Sequence, residues 1–144
     1  MVEYDTVKDD ELLQLLVLYQ QLNPGDFIDE VTAKNVWEEI KKQNIKYFVA
    51  RENGKIISSC YISVIHNITR GGRSIGFIEN VITDVAYRRK GIGKTVIEHA
   101  INYAKEQNCY KVVLQSGNKR SDAHSFYEKM GFDGTSKKAF EIRF

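Results

Sequence analysis

One stretch of this sequence combines residue types that suit the binding of an anion. Residues 88–95 read Arg-Arg-Lys-Gly-Ile-Gly-Lys-Thr, after an apolar run at 81–83 and before apolar residues at helical spacing from Val96 to Ala104. The order is therefore strand, turn and helix. Backbone N–H groups that open a helix have no intrahelical partner, and they bind phosphate readily. Gly91 and Gly93 allow an anion to approach the backbone closely, because they have no Cβ. Four cationic residues surround them in the sequence: Arg88, Arg89, Lys90 and Lys94.

Two familiar phosphate motifs nearly match this turn. Gly93-Lys94-Thr95 looks like the end of a nucleotide-triphosphate P-loop, but Arg88 stands where that loop needs its first glycine. A dinucleotide fingerprint would need a third glycine at position 96, which is Val96. The P-loop alternative predicts magnesium-dependent binding of ATP. The pattern that remains is R-x-x-G-x-G, from Arg88 to Gly93.

This pattern, together with Phe126-Tyr127-Glu128-Lys129-Met130-Gly131-Phe132, resembles the GNAT superfamily of acetyl-CoA-dependent N-acetyltransferases. The resemblance implies that acetyl-CoA is the co-substrate. Its pyrophosphate would bind the turn, and its pantetheine arm would follow the strand before it, whose backbone would also polarise the thioester carbonyl. The cofactor-binding residues that the resemblance implies are Val81, Ile82, Thr83, Arg88, Arg89, Lys90, Gly91, Ile92, Gly93, Lys94 and Thr95. Arg120 departs from the asparagine that many family members have at its position; it could bind the 3′-phosphate region of the cofactor, or it could simply be solvated.

Two residues are candidates for catalytic proton transfer. In the resembled family, the tyrosine that matches Tyr127 protonates the leaving thiolate; a phenol with a pKa near ~10 keeps its proton at neutral pH. Glu79 lies two residues before Val81, so regular alternation predicts one strand face for Glu79, Val81 and Thr83. A carboxylate there could accept the proton of the amine, directly or through water. The alternatives are a structural or substrate-binding role for Glu79, with water alone as the base.

Charged residues outside these motifs point to two kinds of acceptor. Arg70 and Arg73 could hold a carboxylate or a phosphate, although a solvated loop is the alternative reading. Asp29, with its neighbours Asp26 and Glu30, would favour a cationic amine instead. An amino acid or an amino-sugar phosphate would satisfy both sets of charges.

Composition bounds the other classes of function. The 144 residues, 42% hydrophobic and 28% charged, predict a single domain over positions 1–144. A net charge of +2 gives no argument for nucleic acid, and no apolar run approaches the ~18 residues of a membrane span. Two cysteines and three histidines lack metal-ligand spacing. We expect a cytoplasmic protein without a metal, nucleic acid or membrane partner.

Periodicity predicts the element order β-α-α-β-β-β-α-β-α-β. Asn53-Gly54 is a strong hairpin signal, and Gly131 is suited to end the helix that carries Tyr127. Ser121 or Asp122 is the predicted cap at the start of that helix, and Phe140 to Phe144 is the predicted last strand. This order matches the GNAT fold. The resemblance implies an α/β fold of the α+β type, with a mixed, mostly antiparallel sheet that is splayed at the cofactor site and flanked by about four helices.

The sequence therefore predicts an N-acetyltransferase that moves an acetyl group from acetyl-CoA to a primary amine by direct attack in a ternary complex. The acceptor is a small molecule, with a small amine, an amino acid or an amino sugar favoured. Cys109-Tyr110-Lys111-Val112 resembles a segment of glucosamine phosphate N-acetyltransferases. A non-catalytic acyl-CoA sensor is the alternative, and it predicts CoA binding indifferent to Tyr127→Phe. A homodimer stays open, because exposed strand edges often pair in this family.

Overall fold

The computed structural model describes residues 1 to 144. The strands are β1 (Val2–Thr6), β2 (Ile45–Glu52), β3 (Lys55–Ile65), β4 (Ser74–Thr83) and β5 (Cys109–Leu114). The helices are α1 (Leu12–Leu22), α2 (Glu30–Lys41), the single turn α3 (Thr69–Gly72), α4 (Ile92–Glu106) and α5 (Ser121–Lys129), with 3₁₀ turns at Asp9–Glu11 and Val85–Tyr87. The chain forms two compact units, Met1–Val113 and Leu114–Phe144.

The strands form one sheet in the order β1-β2-β3-β4-β5, and the first four pair antiparallel. Asn53 and Gly54 close the β2–β3 hairpin with φ angles of 51° and 76°, the left-handed pair that a tight hairpin turn requires. After the α4 crossover, β5 takes the edge beside β4. The predicted fold class, a mostly antiparallel sheet flanked by helices, is confirmed.

Helices α1 and α4 cover opposite faces of the sheet. Leu18 of α1 packs with Val49 and Ile82 in one buried cluster. On the other face, the Cys60 thiol lies 3.9 Å from the backbone oxygen of Val96 in α4. Side chains of adjacent strand residues point to opposite faces, so the strands supply both layers of the core. The largest fully buried aliphatic side chains are Leu15, Ile57, Ile62, Ile78, Ile97, Val49 and Val96.

A bulge in β4 changes the face that each of its residues occupies. Glu79 pairs with Tyr61 and Ile82 pairs with Ser59, so β4 advances three residues while β3 advances two. Asn80, inside this step, adopts a left-handed φ of 52°. A residue inserted in one strand reverses the alternation beyond it. The prediction that Glu79 shares a face with Thr83 is therefore wrong.

The 114–144 unit contains one helix, α5. Its N-terminal cap is Arg120, not Ser121 or Asp122, and Arg120 makes no side-chain capping bond. The predicted end is confirmed: Gly131 has a φ of 102°. Its N–H bonds to the Glu128 oxygen at 3.0 Å, and the Phe132 N–H bonds to the Tyr127 oxygen at 3.1 Å. These bonds satisfy carbonyl groups that the helix would otherwise leave unpaired.

The prediction of a last strand at Phe140 to Phe144 is wrong. These residues carry no strand or helix assignment, and Phe140, Ile142 and Phe144 are 87%, 83% and 118% exposed. Alternating apolar residues predict a strand only where a neighbouring strand accepts their hydrogen bonds, and the sheet of this chain has five strands without them. None of the helices is both long enough and apolar enough to cross a bilayer.

Candidate active site

Residues 88–95, the glycine turn, connect the end of β4 to the start of α4. Asp84 follows β4 directly and its carboxylate accepts a 2.9 Å hydrogen bond from the Ala86 N–H. This bond lowers the pKa of Asp84 despite its burial, and it begins the 3₁₀ turn at Val85–Tyr87. The chain therefore leaves the strand in a constrained direction and reaches the glycine turn after one short turn.

The glycine turn exposes a row of backbone donors. Arg89 and Gly91 have left-handed φ angles of 62° and 77°, the backbone type from which anion-binding nests are built. The first bond of α4 runs from the Thr95 N–H to the Gly91 oxygen at 3.1 Å. The N–H groups of Ile92, Gly93 and Lys94 precede that bond and have no intrahelical acceptor. They are available to an anion, and the helix dipole favours negative charge at this end.

Gly93 holds the start of α4 against the end of β4. A Cβ built on Gly93 would lie 2.9 Å from the Thr83 hydroxyl oxygen, closer than unbonded atoms approach without a shift of the structure. Thr83 is held in turn, because its hydroxyl lies 2.8 Å from the Ser58 hydroxyl. The glycine is therefore needed for this close approach of helix and strand, whatever binds to the turn.

The cationic side chains of the glycine turn have contacts of their own within the chain. Arg88 donates from Nε to the Thr83 carbonyl oxygen at 3.0 Å. The Lys90 ammonium lies 5.4 Å from the centroid of the Tyr87 ring, and Lys94 lies 3.7 Å from a Glu98 carboxylate oxygen. All three cations are exposed. Arg88 thus fastens the turn to the strand, and the positive charge remains at the protein surface around the free N–H groups.

The last three residues of β4 differ in burial. Ile82 is 6% exposed and packs with Leu18, while Val81 and Thr83 are half-buried. The Ile82 carbonyl accepts a 3.1 Å bond from the Ser58 hydroxyl. Their side chains therefore build the core and the junction with α4, so the role in cofactor binding predicted for Val81, Ile82 and Thr83 is a prediction about their backbone groups.

Glu79 lies on the opposite sheet face from Thr83, next to an aromatic side chain. It is exposed, and it stands directly across from Tyr61 in the β3–β4 register. Burial raises the pKa of Tyr61, and the neighbouring negative charge of Glu79 raises it further. The pair therefore combines a carboxyl side chain with a phenol that keeps its proton.

Tyr127 belongs to α5 in the second unit. Its ring packs edge-to-face against Phe126 at 5.3 Å and against Phe132 at 5.9 Å between centroids. Arg120 caps the same helix through its backbone, and its N–H bonds to the Gly117 oxygen at 3.0 Å. The side chain of Arg120 is exposed. The aromatic contacts hold the ring of Tyr127 in place, and its role as the catalytic acid stays a prediction.

The model of the acetyltransferase (GNAT) family matches residues 12–132, which is most of the chain. The chain belongs to the GNAT family. Members of this family transfer acetyl groups from acetyl-CoA. The family resemblance noted in the sequence is confirmed, and this chain is an N-acetyltransferase.

Relatives of this N-acetyltransferase include named sugar-phosphate enzymes. It is 32% identical over 133 residues to the glucosamine 6-phosphate N-acetyltransferase of Trypanosoma brucei brucei, covering 91% of this chain and 88% of that enzyme. The Arabidopsis thaliana enzyme of the same name is 32% identical over 116 residues, or 78% of this chain and 75% of that one. A solved structure from Agrobacterium tumefaciens, described as an acetyltransferase, superposes with a TM-score of 0.93 at 40% identity and 99% coverage of both chains.

The residues of the glycine turn fit the pyrophosphate of acetyl-CoA. Three N–H groups at the start of α4 lack intrahelical acceptors, a Cβ built on Gly91 would meet no other part of the chain within 4 Å, and the surrounding side chains are cationic. An anion with two phosphate groups can bond to several of these donors at once. The glycine turn between β4 and α4 therefore has donors and charges that suit a phosphate group, and its binding of acetyl-CoA stays a prediction.

Two arginines that the sequence marked as a clamp for the acceptor already contact β5. Arg73 donates from Nη2 to the Cys109 carbonyl oxygen at 2.8 Å. The Arg70 guanidinium lies 5.5 Å from the centroid of the Tyr110 ring. They bind adjacent residues of the edge strand and so attach the β3–β4 loop to it. A role in holding an acceptor stays a prediction for both.

Asp29 caps helix α2 of this N-acetyltransferase. Its carboxylate accepts a 2.8 Å bond from the Thr32 N–H and a 2.7 Å bond from the Thr32 hydroxyl. These bonds lower the pKa of Asp29, and α2 begins at the next residue, Glu30. The capping bonds account for an aspartate at this position, while its predicted contact with an acceptor remains untested.

Sequence reasoning missed the aromatic neighbours of Glu79. Tyr47 pairs with Tyr61, which pairs with Glu79, so the three side chains form one row across three strands. The hairpin signal at Asn53-Gly54 constrains the pairing of β2 with β3. A register shift between Ala50 and Arg51 changes which β3 residue pairs with Tyr47, and the bulge in β4 changes which β4 residue pairs with Tyr61. Periodicity in the sequence predicts neither irregularity.

The thiols and histidines of this N-acetyltransferase do not form a metal site. The chain contains no group of three or more His, Cys, Asp or Glu side chains that could hold a metal ion. Both cysteines are buried and free, and burial raises the pKa of Cys60 to about 12. A thiol with so high a pKa carries almost no thiolate at neutral pH, which agrees with a packing role.

Proposed function

We propose that this N-acetyltransferase acetylates the primary amine of an amino sugar, and that glucosamine 6-phosphate is the first acceptor to test. The observation that carries the cofactor half of the proposal is the contact of Gly93 with Thr83, which sets free N–H groups beside the end of β4. The acceptor half is supported by the 32% identity to an enzyme named for glucosamine 6-phosphate, over 88% of that enzyme.

In this proposal, the residues of the glycine turn bind the pyrophosphate through the N–H groups of Ile92, Gly93 and Lys94. The charges of Arg88, Arg89, Lys90 and Lys94 attract it, Thr95 closes the first turn of α4, and Arg120 serves the 3′-phosphate region. The backbone of Val81 to Thr83 bonds to the pantetheine arm and donates to the thioester carbonyl oxygen. Donors aimed at this oxygen stabilise the negative charge that develops on it during attack.

The proposed reaction needs one base and one acid. The neutral amine attacks the carbonyl carbon, the new C–N bond forms, and the C–S bond breaks. Glu79 accepts the proton that the amine loses, directly or through a water molecule. Tyr127 donates a proton to the leaving sulfur and regains it from solvent, so no covalent enzyme intermediate is needed. General acid–base assistance of this kind contributes about 10²- to 10⁴-fold to a rate.

The direct test follows the release of CoA thiol from acetyl-CoA with a chromogenic thiol reagent. The amine panel contains glucosamine 6-phosphate, glucosamine, spermidine, lysine and an aminoglycoside. Both protein thiols are buried, so the reagent reports on the released CoA with little background from the folded enzyme. Calorimetric titration of CoA runs in parallel, because it tests the cofactor half without an acceptor.

The outcomes separate the two halves of the proposal. We expect CoA to bind and thiol release to depend on an amino sugar, with glucosamine 6-phosphate the best acceptor. Faster release with spermidine or lysine than with either amino sugar would overturn the acceptor half alone. Binding of CoA without release on any amine would support the sensor alternative, and the absence of CoA binding would overturn the assignment of the glycine turn.

We also propose that two copies of this chain pair through their apolar tails and open sheet edges. Strand β5 has no neighbour on its outer side, and Phe140, Ile142 and Phe144 alternate along an exposed segment. An unpaired edge and an unpaired apolar segment both gain hydrogen bonds and burial from strand addition.

Two further predictions from the sequence, a single domain over positions 1–144 and a cytoplasmic location, also remain proposals.

Light scattering after size exclusion tests this pairing. We expect a dimer for the unmodified chain and a monomer for Ile142→Glu, which places a charge in the apolar row. Phe27→Ser is the matched control, because Phe27 is 85% exposed in the α1–α2 loop. A monomeric unmodified chain, or an Ile142→Glu dimer as stable as the parent, would contradict the proposal.

A further inference from the structure

A continuous row of side chains crosses the sheet face opposite α4. Tyr47 on β2, Tyr61 on β3 and Glu79 on β4 are direct cross-strand partners. The rings of Tyr47 and Tyr61 stack with centroids 4.8 Å apart and an interplanar angle of 24°. Trp37 of α2 extends the row and packs edge-to-face on Tyr47 at 5.4 Å. Three aromatic rings thus lie side by side in one row, and a carboxylate lies at its end.

The exposure of the row increases toward the carboxylate. Tyr47 and Tyr61 are half-buried, and Glu79 is exposed. Burial raises the pKa of Tyr47, with a further contribution from Tyr61. The polar end of the row is therefore open to a ligand, while its far end is anchored in the packing beneath α2. A sheet platform of this kind is rigid, since each side chain is fixed by its cross-strand neighbour.

Two features of the residues next to Tyr61 and Glu79 are unexplained by packing alone. Ser59, two residues before Tyr61 on the same face of β3, is 1% exposed and its hydroxyl has no hydrogen-bond partner. Asn80, next to Glu79, holds a left-handed backbone in the bulge. A buried hydroxyl without a partner is destabilising, and left-handed backbone at residues other than glycine is concentrated at functional sites. Both lie beside the segment 81–83 that we assign to the thioester.

An aromatic platform that ends in a carboxylate selects a particular kind of ligand. The face of an aromatic ring packs against the C–H face of a sugar ring, and its negative face attracts a nearby ammonium. The carboxylate pairs with an amine and can take a proton from it. A straight-chain polyamine would use the carboxylate but would leave most of the aromatic surface uncovered. An amine carried on a sugar ring would use both.

We propose that Tyr61 and Glu79, with Tyr47 behind them, form the acceptor subsite, where the ring of an amino sugar packs on Tyr61 and its amine faces Glu79. This inference rests on the proposed function and adds the residues that select the acceptor. It places the acceptor on the sheet face opposite α4, whereas the glycine turn lies where α4 begins. Amine and thioester then approach the bulged end of β4 from different sides.

Kinetic variants test the subsite against a purely structural role. Tyr61→Leu removes the ring, and Tyr61→Phe keeps the ring and removes only the hydroxyl. We expect Tyr61→Leu to raise the KM for glucosamine 6-phosphate about tenfold, which corresponds to about 1.4 kcal/mol, because the sugar ring loses its aromatic packing surface. The KM for acetyl-CoA and its calorimetric affinity should change less than about twofold. Tyr61→Phe should retain most of the affinity for the amino sugar.

A matched control keeps the test specific. Tyr4 of β1 pairs with Ala50 of β2. Its ring stacks on His99 of α4, on the other sheet face, with ring centroids 5.8 Å apart. Tyr4→Leu therefore removes an aromatic ring from the sheet without touching the row, and it should leave the KM for glucosamine 6-phosphate unchanged. An equal rise in this KM for Tyr4→Leu and Tyr61→Leu, or no rise for Tyr61→Leu, would overturn the subsite.

The single tryptophan supplies a readout that does not depend on turnover. Trp37 is the only tryptophan in the chain, and it contacts Tyr47 at the end of the row. Titration of the CoA complex with glucosamine or glucosamine 6-phosphate should change its emission, and Tyr61→Leu should weaken the response about tenfold. No change in emission with either amino sugar would overturn the subsite, even where calorimetry shows that CoA binds and the glycine turn is correctly assigned.

Discussion

At the scale of single residues, the proposed cofactor site depends on the absence of a side chain at position 93. Gly93 has no Cβ, and the space that a Cβ would need is occupied by the Thr83 hydroxyl at 2.9 Å. Thr83 cannot withdraw freely, because it lies 2.8 Å from the Ser58 hydroxyl. The two residues belong to different elements, so a substitution at position 93 moves the start of α4 relative to β4.

We predict that Gly93→Ala lowers the affinity for CoA about 10- to 100-fold. The added methyl group forces a shift that costs about 1–3 kcal/mol, and that shift displaces the N–H groups of the turn. Calorimetric titration of CoA measures the loss. Thr83→Ala in the Gly93→Ala background removes the clashing oxygen and should restore part of the affinity. Gly134→Ala, where a Cβ would meet only the end of the Glu128 side chain at 3.4 Å, serves as the control. Unchanged affinity in Gly93→Ala would contradict the assigned contact.

Tyr127→Phe addresses the acid at the same scale. We predict that kcat falls about 10²-fold, the lower end of what a positioned proton donor contributes, while the KM for acetyl-CoA stays within about twofold. The phenylalanine keeps the ring, and with it the packing on Phe126 and Phe132. Steady-state kinetics with the best amine of the panel measure both constants, and Tyr4→Phe is the control. A kcat equal to that of the parent enzyme would remove Tyr127 from the mechanism.

At the scale of elements, a buried ion pair joins β2 to the 3₁₀ turn before α1. Arg51 and Glu11 are 4% and 6% exposed, and Arg51 donates from Nε to a Glu11 oxygen at 2.6 Å. A second Arg51 nitrogen donates to the Thr6 carbonyl oxygen at 2.7 Å. Breaking a buried pair by removing one partner costs about 3–5 kcal/mol, because the other charge is left unpaired.

This pair predicts a loss of stability in acid. The bond from Arg51 lowers the pKa of Glu11 in the folded chain, against the effect of burial. A lowered pKa stabilises the fold above the unfolded value of ~4.3, and that stabilisation disappears as the pH falls through the lower folded value. Urea unfolding between pH 7 and pH 3 should show a decline that is weaker in Glu11→Gln, which is already about 3 kcal/mol less stable at pH 7.

A surface pair supplies the comparison for this prediction. Glu39 lies 3.0 Å from Lys42 with both side chains exposed, and exposed pairs contribute about 0–1 kcal/mol. Glu39→Gln should therefore keep the acid-dependent decline of the parent chain. The same decline in Glu11→Gln as in Glu39→Gln would show that other carboxylates cause the loss.

At the scale of the whole molecule, binding of CoA should raise the stability of the fold. A ligand at a hundred times its Kd stabilises the folded state by about 2.7 kcal/mol when the unfolded chain does not bind it. For a chain of 144 residues, this corresponds to a rise in Tm of about 5–10 °C. Thermal scans with and without CoA measure the shift, and Gly93→Ala at the same CoA concentration should show a smaller one. The absence of a shift in the unmodified chain would contradict the binding site itself.

Local chemistry in the sequence determined much of this molecule. The spacing of apolar residues predicts α1, α2, α4 and α5, because a helix places residues three and four apart on one face. Asn53-Gly54 predicts the hairpin and Gly131 the end of α5, because few residues accept a left-handed backbone. The strand, basic turn and helix between positions 81 and 104 form one continuous segment of the sequence. The motif that indicates the family and its co-substrate could therefore be recognised without the tertiary structure.

Only the tertiary structure decided which side chains meet across that framework. One extra residue at Asn80 places Glu79 beside Tyr61 and on the opposite face from Thr83, since the face of a strand residue depends on a count that a single insertion reverses. The contact of Arg73 with Cys109 likewise joins residues that are far apart in the sequence, so it depends on chain packing that the local pattern does not encode. Phe140 to Phe144 alternates like a strand but has no neighbour to pair with. Periodicity predicts which secondary structure a segment can form, and the rest of the fold determines whether a neighbouring strand is available to pair with it.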